Sequence, residues 1–291
     1  PNAGREIPGT EVIRNGNGAV TEITFSKLSV ADEDLVALQR FPELRHVSLG
    51  RTEINDEQLR FLKPLKQLRW LRFFDTAVGN DGLKHLSPLT SLTYLDLTRT
   101  KITGDGLVHL RSLPLLRDLR LGGTSLNEGE FSDISNLSSL KWLTIDDSNV
   151  TDQELRSLNK LTNLESLLSR GNRLITGTGF RELKPCTRLS SLNLHGSSIT
   201  DDGLKQIALL ASLKILSLAN TQVTDIGMPD LQQLVKLETL SLQGTKVSDK
   251  GLKFLQKLPN LTQLRVSRTN VTASGISEIK SVLPNLVVIQ D

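Results

Sequence analysis

The chain is short of almost everything that carries chemistry. One cysteine, Cys186, leaves no partner for an intrachain disulfide. The four histidines, His46, His85, His109 and His195, are too scattered to converge on a metal ion. No glycine-rich phosphate loop and no nucleophile elbow occurs, so neither a cofactor nor a catalytic centre is expected. No apolar run is long enough to span a bilayer, which argues against membrane insertion. Charge of one sign is also lacking: 35 basic residues stand against 32 acidic ones scattered between them, a balance that does not announce nucleic acid. Aromatic residues make up only 4% of the chain, with two tryptophans and one tyrosine, so where those few fall carries information.

What is present is repetition. Leucines recur at fixed places with a step of 24 residues, in units starting at Val20, Leu44, Leu68, Leu92, Leu116, Leu140, Leu164, Leu189, Leu213, Leu237, Leu261 and, as a partial copy, Leu286. One unit reads Leu92-x-x-Leu95-x-Leu97-x-x-Thr100-x-Ile102-Thr103, and another closes Val247-Ser248-Asp249-x-Gly251-Leu252. A unit of this size cannot bury its apolar edge alone and must stack on its neighbours. Each opens with period-two alternation, as in Leu116-Arg117-Asp118-Leu119-Arg120-Leu121, which predicts a strand with Leu119 and Leu121 inward. A turn follows, closed by a hydroxyl residue at Thr52, Thr76, Thr100, Thr124, Thr221, Thr245 and Thr269, read as a stacked ladder. Then come helix starts such as Thr151-Asp152, Thr200-Asp201 and Thr224-Asp225, with the aspartate favoured by the helix dipole, and Thr151 to Glu154 fits a capping box. Leucines at three-residue steps, such as Leu107, Leu110 and Leu113, predict a short helix laid on the core.

Over roughly residues 20 to 291 these units resemble the leucine-rich repeat family, in its 24-residue bacterial type with a T-x-I-T-D-x-G-L signature. The resemblance implies an α/β fold: a leucine-rich repeat solenoid curved as a horseshoe, with a parallel sheet on the concave face and short helices on the convex face. About eleven strands near 4.8 Å apart give a sheet on the order of 50 Å long. Residues 1–19 are expected to form an amino-terminal cap, a hairpin with the first strand around Asn15-Gly16-Asn17-Gly18, and residues 20–291 about 11 repeats plus a final strand. Extracellular animal and plant members of the family usually carry disulfide caps. Their absence here points to a bacterial cytoplasmic or exported setting. A chain opening on Pro1, without methionine or a signal-like apolar stretch, is expected to be a processed or trimmed product.

A repeat scaffold spends its leucines on folding, so ligand information sits in the outward positions. The third place of each unit reads Glu22, His46, Trp70, Tyr94, Asp118, Trp142, Ser166, Ser191, Ile215, Thr239, Gln263 and Val288, and it gathers both tryptophans and the only tyrosine. Phe74 is expected to face outward beside them, two residues past Arg72. Exposed amphipathic rings rimmed by charge mark a binding patch; the competing interpretation is rings stacked sideways to stabilise the sheet. Arg72, Asp96 and Arg120 share one column, and Arg51, Asp75 and Arg99 another, so both are expected to form lateral salt-bridge ladders. From Ser191 onward the columns turn small and polar, which places the bet between His46 and Asp146.

Two irregularities remain. Between Leu164 and Leu189 the step is 25, Ser169 takes an inward place, and the expectation is a tolerated bulge with local loss of packing rather than a notch exposing Arg170 and Arg173. Cys186, in Leu183-Lys184-Pro185-Cys186, matches the leucine slot of Leu65 and reads as a buried apolar residue. The sequence therefore supports a non-enzymatic, monomeric interaction module that binds a protein or peptide on its concave face through His46, Trp70, Arg72, Phe74, Tyr94, Asp96, Asp118, Arg120, Trp142 and Asp146. The alternatives are the recognition domain of a larger enzyme or effector, and a carbohydrate or cell-surface binder.

Overall fold

The computed structural model describes residues 7–126 and 131–290. The chain divides into two compact units, residues 1–143 and 144–291. In the first, β1 (Thr10–Arg14) runs antiparallel to β2 (Val20–Phe25), with Thr10 opposite Phe25. From β2 onward the pairing is parallel and in register through β3 (His46–Ser48), β4 (Trp70–Arg72), β5 (Tyr94–Asp96) and β6 (Asp118–Arg120). The strand β7 (Trp142–Thr144) begins within this unit, where Trp142 N donates to Arg117 O at 2.9 Å. The second unit continues with β8 (Ser166–Leu168), β9 (Ser191–Asn193), β10 (Ile215–Ser217), β11 (Thr239–Ser241), β12 (Gln263–Arg265) and β13 (Val287–Ile289), all parallel to their neighbours. Sequence order is sheet order in both.

The alternating pattern translates directly into sides. Leu119 and Leu121 are fully buried, and so are Leu95 and Leu97 one unit earlier. On the helical side Leu107 and Leu110 are fully buried and Leu113 is 2% exposed. These segments are tighter than regular α-helix: Glu57–Leu62, Gly104–Ser112, Thr178–Leu183 and Met228–Gln233 are 3₁₀ helices. The reason lies in the leucine spacing. A three-residue step matches the three residues per turn of a 3₁₀ helix and would drift off the core in a 3.6-residue one. Among the described residues no helix is long and apolar enough to cross a membrane.

The turn threonines do not form a ladder between units. Each hydroxyl donates within its own turn to the carbonyl three residues back, Thr52 to Leu49 at 2.7 Å, Thr100 to Leu97 at 2.7 Å and Thr245 to Leu242 at 2.6 Å. The threonine hydroxyls reach no further, while Ser197 at the same place donates to Ser169 O of the preceding repeat at 3.1 Å. Asn172 is long enough: its amide donates to Ile145 O at 2.6 Å and Ser169 Oγ at 2.8 Å and accepts from Ser148 N and Val150 N. Ser169 is thus a buried, hydrogen-bonded partner and not a packing loss. The extra residue of that unit leaves the Ser166–Ser191 pairing intact and is absorbed in the following turn, where Leu174 stands 54% exposed.

The aspartates at the helix starts also do more than meet a dipole. Asp152 accepts from the backbone N–H of Thr176, Gly177 and Gly179 and from the Thr176 hydroxyl, all one unit further on. Asp201, Asp225 and Asp249 do the same for Thr224, Ser248 and Thr272. Each of these four aspartates therefore caps the helix start of the next repeat, beside any cap of its own helix. Thr151 completes the local one, with Gln153 N donating to its hydroxyl at 3.1 Å and its own N–H donating to Glu154 at 2.8 Å.

Candidate functional site

The outward residues of β2 to β6 meet side to side, because in-register parallel strands set identical places about 4.8 Å apart. His46 lies 5.5 Å from Trp70, tilted by 55°, and its Nδ1 is 3.4 Å from the Glu22 carboxylate. Trp70 stacks on Tyr94 with centroids 4.3 Å apart and planes within 10°. Arg72 lays its guanidinium 5.7 Å from the Trp70 ring and 5.4 Å from that of Tyr94, and Arg120 sits 4.9 Å over Tyr94. The offset stack contributes about 0.5–1.5 kcal/mol, and each cation over a ring at an exposed site about 0.5–1.

That lateral packing corrects the expected exposure of the cluster. Trp70 is 41% and Trp142 43% exposed, but Tyr94, although on the outward face, is only 2% exposed beneath its neighbours. Phe74 is half-buried and packs its ring against Gly50 of the preceding repeat, where any side chain would collide with it, with the Arg51 guanidinium 5.5 Å from the ring centre. Trp142 carries Lys141 at 5.7 Å from its ring. The twelfth outward place belongs to Val287, which pairs with Gln263 and is 57% exposed, and not to Val288.

Of the two charge columns, one forms its ladder: Asp75 accepts from Arg51 at 3.5 Å and Arg99 at 3.3 Å. The other does not. Asp96 is buried, committed to the Thr98 N–H at 3.0 Å and the Tyr94 hydroxyl at 3.4 Å, and Arg120 turns to Asp118 on its own strand at 3.6 Å. Among the described residues Arg72 consequently has rings but no carboxylate in ion-pair contact, and its buried Nε has no hydrogen-bond partner. Burial raises the Asp118 carboxyl above its ordinary value despite Arg120, and it raises the Tyr94 hydroxyl as well, with Asp96 adding to the effect. A cavity of about 300 Å³ opens between Glu22, His46, Val47, Ser48, Trp70 and Arg72.

Asp146, at the carboxyl end of the expected patch, falls in the second unit and is taken up by Arg170. Its carboxylate accepts from the Arg170 side chain at 2.6 and 2.9 Å and from the Arg170 N–H at 2.7 Å. Elsewhere in that unit Asn193, Ile215, Ser217, Ser241 and Arg265 border a cavity of about 400 Å³. Cys186 is 2% exposed, its thiol facing Leu158 O at 3.4 Å, and burial pushes its pKa up to about 11, the opposite of what a nucleophile needs. Among the described residues no cluster of His, Cys, Asp or Glu converges enough to hold a metal.

One feature of the turns escaped sequence reasoning. Arg51, Asp75, Arg99, Asp147, Asn220 and Arg268 occupy one place of the repeat and all have positive φ, between 49° and 60°. The signal was available, because Gly123, Gly171, Gly196 and Gly244 hold that same place.

Comparison with known proteins places this geometry. A family model described as a leucine-rich repeat region matches residues 24–288. An internalin, inlF, from Listeria monocytogenes is similar in structure with a TM-score of 0.66 at 20% identity, over 90% of this chain and 89% of its own. The Leptospira interrogans leucine-rich repeat protein LIC12759 is similar with a TM-score of 0.60 at 20% identity, over 90% and 75% respectively. At these identities the likeness is one of fold. No curated protein sequence matches the chain.

Proposed function

The chain belongs to the leucine-rich repeat family, and from that premise we propose that its first unit is a non-enzymatic interaction module that docks a protein or peptide on the outward face of β3 to β7. The observation that carries this is the state of the two indoles. Lateral stacking consumes Tyr94 completely, yet Trp70 and Trp142 keep 41% and 43% of their surface in water. Stabilising the sheet accounts for the covered ring; it does not account for the open ones. Large rings left in water on a pre-packed base lose little entropy on binding and act as anchors. Mixed charge around them, with Asp118, Arg120 and Lys141 close by, suits a protein surface better than a polyanion.

In this reading residues 1–19 form a cap, supported by the pairing of β1 along the edge of β2, and residues 20–291 form the array. Residues 1–6 of that cap lie outside the described residues.

The test needs an identified partner, obtained by capture from the source organism and then purified. Trp70→Ala and Trp142→Ala should each weaken its binding by at least about 2 kcal/mol with folding intact by circular dichroism. Unchanged affinity in both variants removes the proposal.

A further inference from the structure

Building on that docking face, we infer that its partner is a peptide segment carrying a carboxylate side chain next to an apolar one, and that Arg72 receives the carboxylate. The inference starts from the charges of the face. Arg120 has Asp118, Arg51 and Arg99 share Asp75, Glu22 has His46, and Asp96 is spent on Thr98 and Tyr94. Among these, Arg72 alone makes no hydrogen bond or ion pair to a carboxylate: Asp118 acts on it only as a more distant charge, its guanidinium rests on the Trp70 and Tyr94 rings, and its buried Nε has no partner. The buried Nε is itself out of a ligand's reach, but the half-buried guanidinium lines the cavity without a hydrogen-bonded anion, a deficit that an incoming oxygen removes.

The surroundings narrow the chemistry of that oxygen. A guanidinium is a planar fork, and a carboxylate is the planar acceptor that matches it with two parallel bonds. The rings of Trp70 and Tyr94 already hold the side chain, so little rotamer freedom is lost on binding. Arg72 borders the cavity of about 300 Å³, whose opposite wall is Glu22 two strands away. That wall disfavours a run of acids and limits the ligand to one carboxylate. The open part of Trp70, also lining the cavity, offers apolar contact to the neighbouring residue of the same segment. Arg72 facing the Glu22 carboxylate across the cavity is equally a poor surface for a nucleic-acid backbone.

The experiment is a random octapeptide array probed with the full chain, with Arg72→Gln, with Arg72→Lys and with Trp70→Ala, each checked for native circular dichroism. The wild type should select octapeptides enriched about tenfold in aspartate or glutamate at one position. Arg72→Gln should abolish that enrichment, and Arg72→Lys should keep part of it, since an ammonium supplies charge without the fork. One selected peptide and its Glu→Gln counterpart should then differ in Kd by about tenfold with the wild type and not at all with Arg72→Gln. Selection without acidic preference, with Trp70→Ala still abolishing binding, overturns the carboxylate while leaving the docking face in place. Acidic preference that survives in Arg72→Gln also overturns it. Failure of the wild type to bind any octapeptide overturns this inference, while the docking face stands or falls with the Trp70→Ala and Trp142→Ala test.

Discussion

The two units use the same backbone frame and spend their free positions in opposite ways. In the first, outward strand places carry rings and guanidinium groups that lean on one another across 24 residues: His46, Trp70, Tyr94, Arg72 and Arg120. In the second the same places carry Ser191, Asn193, Ser217, Thr239 and Ser241, leaving the strands thinly covered beside a cavity of about 400 Å³. Within each unit, the polar bonds between successive repeats show the reverse weighting among the described residues. Among the bonds described, the first unit shows Asp56 on Gly79 N and the neutral Asn80 on Thr103, whereas the second shows Asn172 and the four aspartates Asp152, Asp201, Asp225 and Asp249. One unit is tied together on its outer face and the other along its buried turns and helix starts.

The largest expected effect tests whether that buried tie is real. Asn172→Ala leaves Ser148 N, Val150 N and Ile145 O without their partner in the interior. At about 1–3 kcal/mol per orphaned group, relieved by some relaxation, the variant should lose about 3 kcal/mol in urea unfolding. Thr100→Ala in the first unit removes one bond inside a turn and should lose about 1 kcal/mol. Equal losses would mean that the two units are held alike.

How much of this was readable beforehand divides along the same line. Local periodicity places Leu119, Leu121, Leu107 and Leu110 inward and gives the Thr151–Glu154 cap, because strand alternation and capping are decided within a few residues. Positions on the outward face were readable too, but the exposure of Tyr94 was not. It is set by the sizes of side chains one unit away on either side, and a column of letters does not say which ring covers which. The reach of Asp152 to Thr176 was hidden for a similar reason: next to its own helix a dipole explains the residue sufficiently, and only stacking reveals the second role. The left-handed place was legible from Gly123, Gly171, Gly196 and Gly244 and was obscured by the arginines that share it.

The aspartate ties offer a sharper comparison through acid. Burial pushes the Asp152 carboxyl up, but bonds from the Thr176 hydroxyl and the N–H groups of Gly179, Thr176 and Gly177 outweigh it and hold the group below its ordinary value. Asp249 is lowered likewise by Thr272. Since the folded value lies below the unfolded one, the contribution is full above the unfolded value, near 3.8, and is lost as pH falls through the folded one. Asp152→Asn should cost about 1–2 kcal/mol at neutral pH, and its stability should fall less than that of the wild type as pH drops below about 4. Asn80, at the equivalent place in the first unit, accepts from Thr103 N and donates to Thr103 Oγ. Asn80→Asp should steepen the loss of stability in acid. An unchanged acid limb in both variants would detach the aspartates from stability altogether.

The smallest expected effect decides why arginine is tolerated in a left-handed turn. At φ 53°, Arg99 costs about 1–2 kcal/mol relative to glycine, a figure partly cancelled by the greater freedom of glycine in the unfolded chain. Its ion pair with Asp75 is exposed and contributes about 0–1 kcal/mol. Arg99→Gly should therefore stay within about 0.5 kcal/mol of the wild type, since relieved strain and lost pairing offset each other. The converse exchange has no such compensation. Gly196, at φ 73°, has room for a Cβ, the nearest atoms being Gly171 N and Cα at 3.7 and 3.8 Å, but its neighbours at that place, Gly171 and Asn220, bring no carboxylate. Gly196→Arg should thus lose about 1 kcal/mol in chemical denaturation, as strain without a partner. If both exchanges prove neutral, the turn carries no strain, and the Arg51–Asp75–Arg99 ladder is a consequence of the repeat's geometry and not what permits arginine within it.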